Sequence, residues 1–139
     1  MEKSFYVDAN IFIFAYSDDK EKGILCRKLL EMAINNKICL YTSVLTFDEI
    51  FYKIKQLKDK ETALLSVKSM LGLKNLIFIA VNFDTINWSY SLLKEYNLNP
   101  RDAIHLACAL SYNLKGLISN DKDFDNIKEI KRLDIKDFR

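Results

Sequence analysis

Ser4-Phe5-Tyr6-Val7-Asp8-Ala9-Asn10-Ile11-Phe12 is the stretch from which the architecture follows. Ser4 to Val7 is a short, mostly apolar run of the kind that makes a strand buried in a parallel sheet. The run stops at Asp8, and Ile11 to Tyr16 continues as a short helix. A strand that passes at once into a helix opens a β-α unit, and the unit recurs downstream. Ile38-Cys39-Leu40-Tyr41 reads as a second strand and Leu76 to Val81 as a third. Leu117-Ile118-Ser119 reads as a fourth, and a short fifth lies near Arg132 to Ile135.

Helical spacing fills the gaps between the strands. From Lys20 to Asn35 the apolar positions are Ile24, Leu25, Leu29, Met32 and Ala33. The next helix, capped by Thr42 or Ser43, has a stripe of Phe47, Ile50, Phe51 and Ile54. Glu61 to Leu71 is helical with Gly72 as its stop, and Thr85 to Tyr96 is helical again. Asn99-Pro100-Arg101-Asp102 is the sharpest helix start in the chain. Asn suits the N-cap, Pro suits the first helical position, and Asp102 falls in the first turn. That helix runs to about Asn113. Alternating strands and helices predict an α/β fold, a three-layer α/β/α arrangement with a central, mainly parallel sheet of four to five strands.

Composition agrees. A length of 139 residues predicts one domain spanning 1–139, because two cores would each be too small to be stable. Three glycines and one proline leave too few turn residues for an all-β fold. The net charge of +2 excludes a histone-like nucleic-acid binder while allowing a local basic face. Cys26, Cys39 and Cys108 are odd in number and lack Cys-x-x-Cys spacing, which supports neither a disulfide framework nor structural zinc. The start at Met1-Glu2-Lys3 has no leader pattern, and no apolar run is long enough to span a bilayer. A cytoplasmic protein with no membrane partner is expected.

In parallel α/β sheets, ligands bind beyond the carboxyl ends of the strands. Asp8 closes the first strand, and Asp121 follows the fourth in Ser119-Asn120-Asp121. Asp8 or Asn10 also suits a cap for the short helix. Glu49 lies beside the apolar stripe of its helix, where it either points into a cleft or stands in water. Asp102 sits three residues after Asn99, so it completes a capping box, faces the site, or does both. Asp121, Asp123 and Asp125 match the first three ligand positions of an EF-hand. That loop fails at position 6, which is Asn126, and at position 12, which is Arg132. Carboxylates gathered from four elements repel one another and raise one another's pKa. Divalent cations would neutralise them, and oxygen-only ligands select Mg²⁺ or Mn²⁺.

Four motifs occur in one order: Val7-Asp8-Ala9-Asn10-Ile11-Phe12, Ser43-x-Leu45-Thr46-x-x-Glu49, Pro100-Arg101-Asp102-Ala103-Ile104-His105-Leu106-Ala107, and Ile118-Ser119-Asn120-Asp121-x-Asp123-Phe124. Together they resemble the PIN domain over essentially the whole chain, and most closely its VapC-type toxins. The resemblance implies a PIN-like fold and a ribonuclease dependent on Mg²⁺ or Mn²⁺. The catalytic acids would be Asp8, Glu49, Asp102 and Asp121, with Asp123 as a further metal ligand. Asn10 would help order the site, with Ser119 and Arg101 in support. Ser119 stands where many members carry Thr, a mild departure that keeps the hydroxyl. The expected partners are an RNA substrate, a cognate antitoxin and a second copy of the chain. The homodimer would form through Ile11–Tyr16 and Lys20–Asn35, and the RNA products would carry 5′-phosphate and 3′-hydroxyl ends. A module that binds RNA or a protein without cleaving is the alternative.

Other chemistries fit less well. His105, the single histidine, lies among Ala103, Leu106, Ala107 and Leu110, which favours packing or helix contact over a general base. Cys108 shares its helix and is a poor candidate nucleophile. Gly23, Gly72 and Gly116 are too scattered for a phosphate-binding loop. Lys53, Lys55, Lys58 and Lys60 are either phosphate contacts or a solvated helix face. Arg101, next to Asp102, is the better phosphate ligand.

Overall fold

The computed structural model describes residues 3–138. Met1, Glu2 and Arg139 lie outside the described residues, and with them the first two positions read for a leader and both ends of the expected domain. Five strands form one sheet: β1 (Ser4–Val7), β2 (Cys39–Ser43), β3 (Leu76–Ile79), β4 (Leu117–Ile118) and β5 (Arg132–Leu133). Their order is β3-β2-β1-β4-β5, and every pairing is parallel. The helices are α1 (Ala9–Ser17), α2 (Glu21–Ile34), α3 (Leu45–Leu57), α4 (Lys60–Leu71), α5 (Phe83–Glu95) and α6 (Pro100–Leu110).

Side-chain alternation along the strands separates two cores. Val7 and Ile118 face a cluster built with Ile11, Phe12, Leu29, Ile50, Ile54 and Met70 from α1 to α4. Tyr6 and Leu117, one residue earlier in their strands, face Leu92 of α5 and Ala103 and Leu106 of α6. The sheet therefore lies between α1–α4 and α5–α6, the three layers expected from the alternation of elements.

Chain order runs outward from β1 through β2 to β3, then returns to the other side of β1 for β4 and β5. The carboxyl ends of β1 and β4 consequently flank the point where strand order reverses, the place where parallel α/β sheets open a crevice. The two strands are tied there by Asp8 N–H donating to Ile118 O at 3.0 Å.

Several local expectations need correction. Val44 precedes α3 without a side-chain cap. Instead Ser43 Oγ accepts from Leu45 N–H at 3.1 Å, and Thr42 donates to Val7 O while bonding Thr46. Phe47 is 44% exposed, and the buried stripe of α3 is Thr46, Ile50 and Ile54. β3 ends at Ile79, which frees Asn82 to cap α5 two residues before its expected start, in a reciprocal capping box with Thr85. Helix α6 stops at Leu110 rather than Asn113.

The corner between α1 and α2 is closed by backbone proximity. Gly23 N–H donates to Asp18 Oδ2 at 2.9 Å, and Arg27 donates to Ala15 O and Asp18 O. A Cβ on Gly23 would lie 1.9 Å from Asp18 O. Gly23→Ala must therefore spread the corner. We expect a loss of about 1–3 kcal/mol, typical of overpacking, read as a lower urea midpoint with an unchanged m-value.

Candidate metal centre

Asp8 is the first residue past β1 and the N-cap of α1, so both readings of its sequence position hold. Its Oδ1 accepts from Ala9 N–H at 2.7 Å, and its Oδ2 accepts from the Ser119 hydroxyl at 2.7 Å. Ser119 follows β4, so this bond crosses the strand-order reversal. Asp8 is 3% exposed. Burial raises its pKa, partly offset by His105, Ser119 and the Ala9 amide.

Asp102 reaches the same place from the start of α6. Asn99 caps that helix by accepting from Asp102 N–H at 3.0 Å. The Asn99 amide also donates to Asp102 Oδ2 at 2.8 Å. Capping thus sets the direction of the Asp102 carboxylate. Burial, then the charges of Asp8 and Asp121, push the Asp102 pKa up to about 7.

Asp121 and Asp123 come from the other side. Ser119 Oγ accepts from Asp121 N–H at 2.9 Å, so one hydroxyl orders two acids. Asp121 then caps a 3-10 turn, Lys122–Asn126, by accepting from Asp123 N–H. One carboxylate oxygen each of Asp102, Asp121 and Asp123 lie within 4.8 Å of one another. Asp125 is excluded from this group because it pairs with Arg132 Nε at 2.6 Å.

Glu49 projects from the first turns of α3 into the cleft that also carries Asn10, Asn99, Arg101, Asp102 and Asp121. The early acids therefore divide into layers. Asp102, Asp121 and Asp123 form a compact cluster, Glu49 shares the cleft with Asp102 and Asp121, and Asp8 is buried. A second depression shares Asn10, Glu49 and Arg101 and extends over Ile13, Tyr52 and Lys53. Lys55, Lys58 and Lys60 line neither depression.

His105 packs in the core and contacts another helix, as expected, and it carries polar partners at both ring nitrogens. It is fully buried, but its Nδ1 lies 2.6 Å from the Tyr6 hydroxyl and its Nε2 is hydrogen-bonded to Glu49. Nε2 also lies 3.9 Å from Asp8 Oδ1. Burial lowers its pKa, but the Glu49 bond and the charges of Asp8, Glu49 and Asp102 outweigh that and leave it raised. Two spacings could have revealed this. His105 is three residues after Asp102 on one helix face, and Tyr6 is two before Asp8 along the chain.

The donor set suits a hard divalent cation. It is all oxygen and rich in carboxylates, and burial together with the charges of Asp8 and Asp121 raises the Asp102 pKa.

The sequence model of the PIN domain matches residues 5–130. Ribonuclease VapC13 of Mycobacterium tuberculosis is 26% identical over 127 residues, covering 91% of this chain and 97% of that protein. The fold is similar to VapBC2 from Rickettsia felis, crystallised with a DNA fragment from its promoter. There the TM-score is 0.74 at 18% identity, over 94% of this chain and 98% of that one. It is also similar to Mycobacterium tuberculosis VapC20, described as a sarcin-ricin loop cleaving toxin. That match has a TM-score of 0.75 at 12% identity, over 91% and 97% of the two chains.

A testable consequence concerns the metal-free protein. Asp102 holds its proton more tightly folded than unfolded, so between the ordinary carboxylate pKa and about 7 the native state binds more protons. Stability should therefore fall as pH rises through that window. Asp102→Asn should flatten this part of the profile and be at least as stable as the parent at neutral pH, as read by thermal midpoints in chelator.

Proposed function

The chain belongs to the PIN domain family, and on that premise we propose that it is a Mg²⁺- or Mn²⁺-dependent endoribonuclease, the toxin of a VapBC-type toxin–antitoxin pair, working as a single domain over residues 1–139. The observation that carries the proposal is the convergence of Asp102, Asp121 and Asp123, the first two of which line a cleft shared with Glu49 and Arg101.

In this reading Asp102, Asp121 and Asp123 hold the cation with Asp8 and Glu49. Such an ion lowers the pKa of water and stabilises charge building on a phosphodiester under in-line attack. The Ser119 hydroxyl and the helix N-terminus favour the charged form of Asp8 against the burial that raises its pKa. Asn99 aims Asp102, and Ser119 aims Asp121. Asn10 is exposed at the cleft rim, within reach of a bound strand. Arg101 is exposed at the same rim and makes no ion pair among the described residues, leaving its guanidinium for a phosphate. Lys53 and the 62% exposed Tyr52 continue the groove and suit the backbone and a base of single-stranded RNA.

The relatives' names support the RNA substrate, and the VapBC2 pair supports a cognate antitoxin for this chain. Three free, buried cysteines are consistent with action in the cytoplasm. No described helix is long and apolar enough to cross a membrane. A homodimer is also part of the proposal. Beyond the early helices implied by the resemblance, its apolar surface would draw on α3, α4 and α5, where Leu57, Leu64, Leu65, Phe83 and Tyr90 are exposed. The early helices contribute Ile24 and Ile34.

With single-stranded RNA and Mn²⁺, Asp8→Asn, Asp102→Asn and Asp121→Asn should each lower cleavage by about 100-fold or more while leaving the fold intact. At limiting Mn²⁺, Asp123→Ala should lose activity and Asp125→Ala should stay near the parent, because Asp125 is engaged by Arg132. RNA binding without cleavage at saturating Mn²⁺ would favour the non-cleaving module instead.

A second measurement addresses assembly. Light scattering at micromolar concentration should give a dimer, and RNA affinity of Asp8→Asn should fall steeply with salt as phosphate counterions are released. A monomer with salt-independent binding would contradict it.

A further inference from the structure

Tyr6 and His105 are both fully buried, and neither belongs to the carboxylate set. Two polar rings in a core are disfavoured against apolar ones of similar size unless their polar atoms are satisfied. With the imidazole neutral, the partners present satisfy them in one arrangement. Ser43 N–H donates to the Tyr6 hydroxyl oxygen at 3.1 Å. The hydroxyl's own hydrogen then needs an acceptor, and His105 Nδ1 lies 2.6 Å away. An Nδ1 that accepts leaves the ring proton on Nε2, which faces the Glu49 carboxylate.

We propose that His105, locked as its Nε2–H tautomer by the Tyr6 hydroxyl, is a positioning residue that holds Glu49 facing the acidic cleft. The inference rests on Glu49 being a metal ligand. Glu49 needs such a hold more than its neighbours do. Asp8, Asp102 and Asp121 are fixed by Ser119, Asn99 and backbone amides. Glu49 has a longer side chain on an amphipathic helix, and His105 is its one hydrogen-bond partner among the described residues. The hold also joins the three layers. Tyr6 belongs to β1, Ser43 to β2, His105 to α6, and Glu49 to α3 on the opposite face of the sheet.

His105 is the single histidine, so imidazole ¹⁵N spectra report it alone. In mildly alkaline buffer the expected spectrum has a protonated Nε2 and a bare Nδ1. Tyr6→Phe should release the tautomer. Mn²⁺ titrated by calorimetry should bind His105→Leu about 10–100-fold more weakly than the parent, the usual loss for a residue that orients a ligand. His105→Gln, whose amide can donate to Glu49, should recover most of that affinity. In RNA cleavage the same variants should lower kcat and leave KM nearly unchanged. If His105→Leu does not fold, Tyr6→Phe carries the test, with an intermediate loss of Mn²⁺ affinity. A proton on Nδ1, or parental Mn²⁺ affinity in folded His105→Leu or in Tyr6→Phe, would overturn the proposal. Parent protein that binds Mn²⁺ without cleaving RNA would count against the ribonuclease proposal alone, because neither the spectrum nor the titration needs RNA.

Discussion

A carboxyl group held almost out of water at the end of β1 is the constraint on which the rest depends. Asp8 is 3% exposed, and a lone buried carboxylate is strongly disfavoured. Its two oxygens are satisfied by one backbone amide and one serine hydroxyl. Both donors exist only if α1 starts at Ala9 and β4 lies beside β1. The strand order therefore serves this carboxyl group. Placing β4 next to β1 brings Ser119 to Asp8, and Ser119 in turn orients Asp121 through its amide.

The same economy runs through the cleft. Residues that look like helix caps are also the residues that aim acids. Asn99 caps α6 and bonds the Asp102 carboxylate. Asp121 caps the following 3-10 turn and stays in the cluster. Capping and chemistry coincide because helix starts lie where parallel strands end, and both carboxylates and helix N-termini gather there. What the caps cannot remove is mutual repulsion. Burial, joined by the charges of Asp8 and Asp121, raises the Asp102 pKa to about 7, and a cation would relieve the part due to charge.

Elements governed by local pattern were legible in the sequence. The strands, the Asn99-Pro100 helix start and the parallel three-layer arrangement follow from short-range periodicity and capping chemistry. The candidate acids are legible as strand-end and helix-start positions, and their motif order points to the family. Features set by tertiary partners were not. The stripe of α3 shifts from Phe47 to Thr46 because Thr46 meets Thr42, which in turn bonds Val7 across the sheet. The Tyr6–His105 bond joins residues 99 positions apart, and an apolar helix face around His105 points to packing until the facing strand is known. Asp125 reads as another acid of the turn, and only its pairing with Arg132 removes it.

The central claim is that the acids from β1, α3, α6 and the segment after β4 hold one divalent centre. Anomalous diffraction from crystals of the protein soaked in Mn²⁺ tests it most directly. The account predicts Mn²⁺ density bounded by the carboxylates of Asp102, Asp121 and Asp123, next to Asp8 and with Glu49 still bonded to His105. Density confined to other acidic surface sites, or none at saturating Mn²⁺, would contradict it.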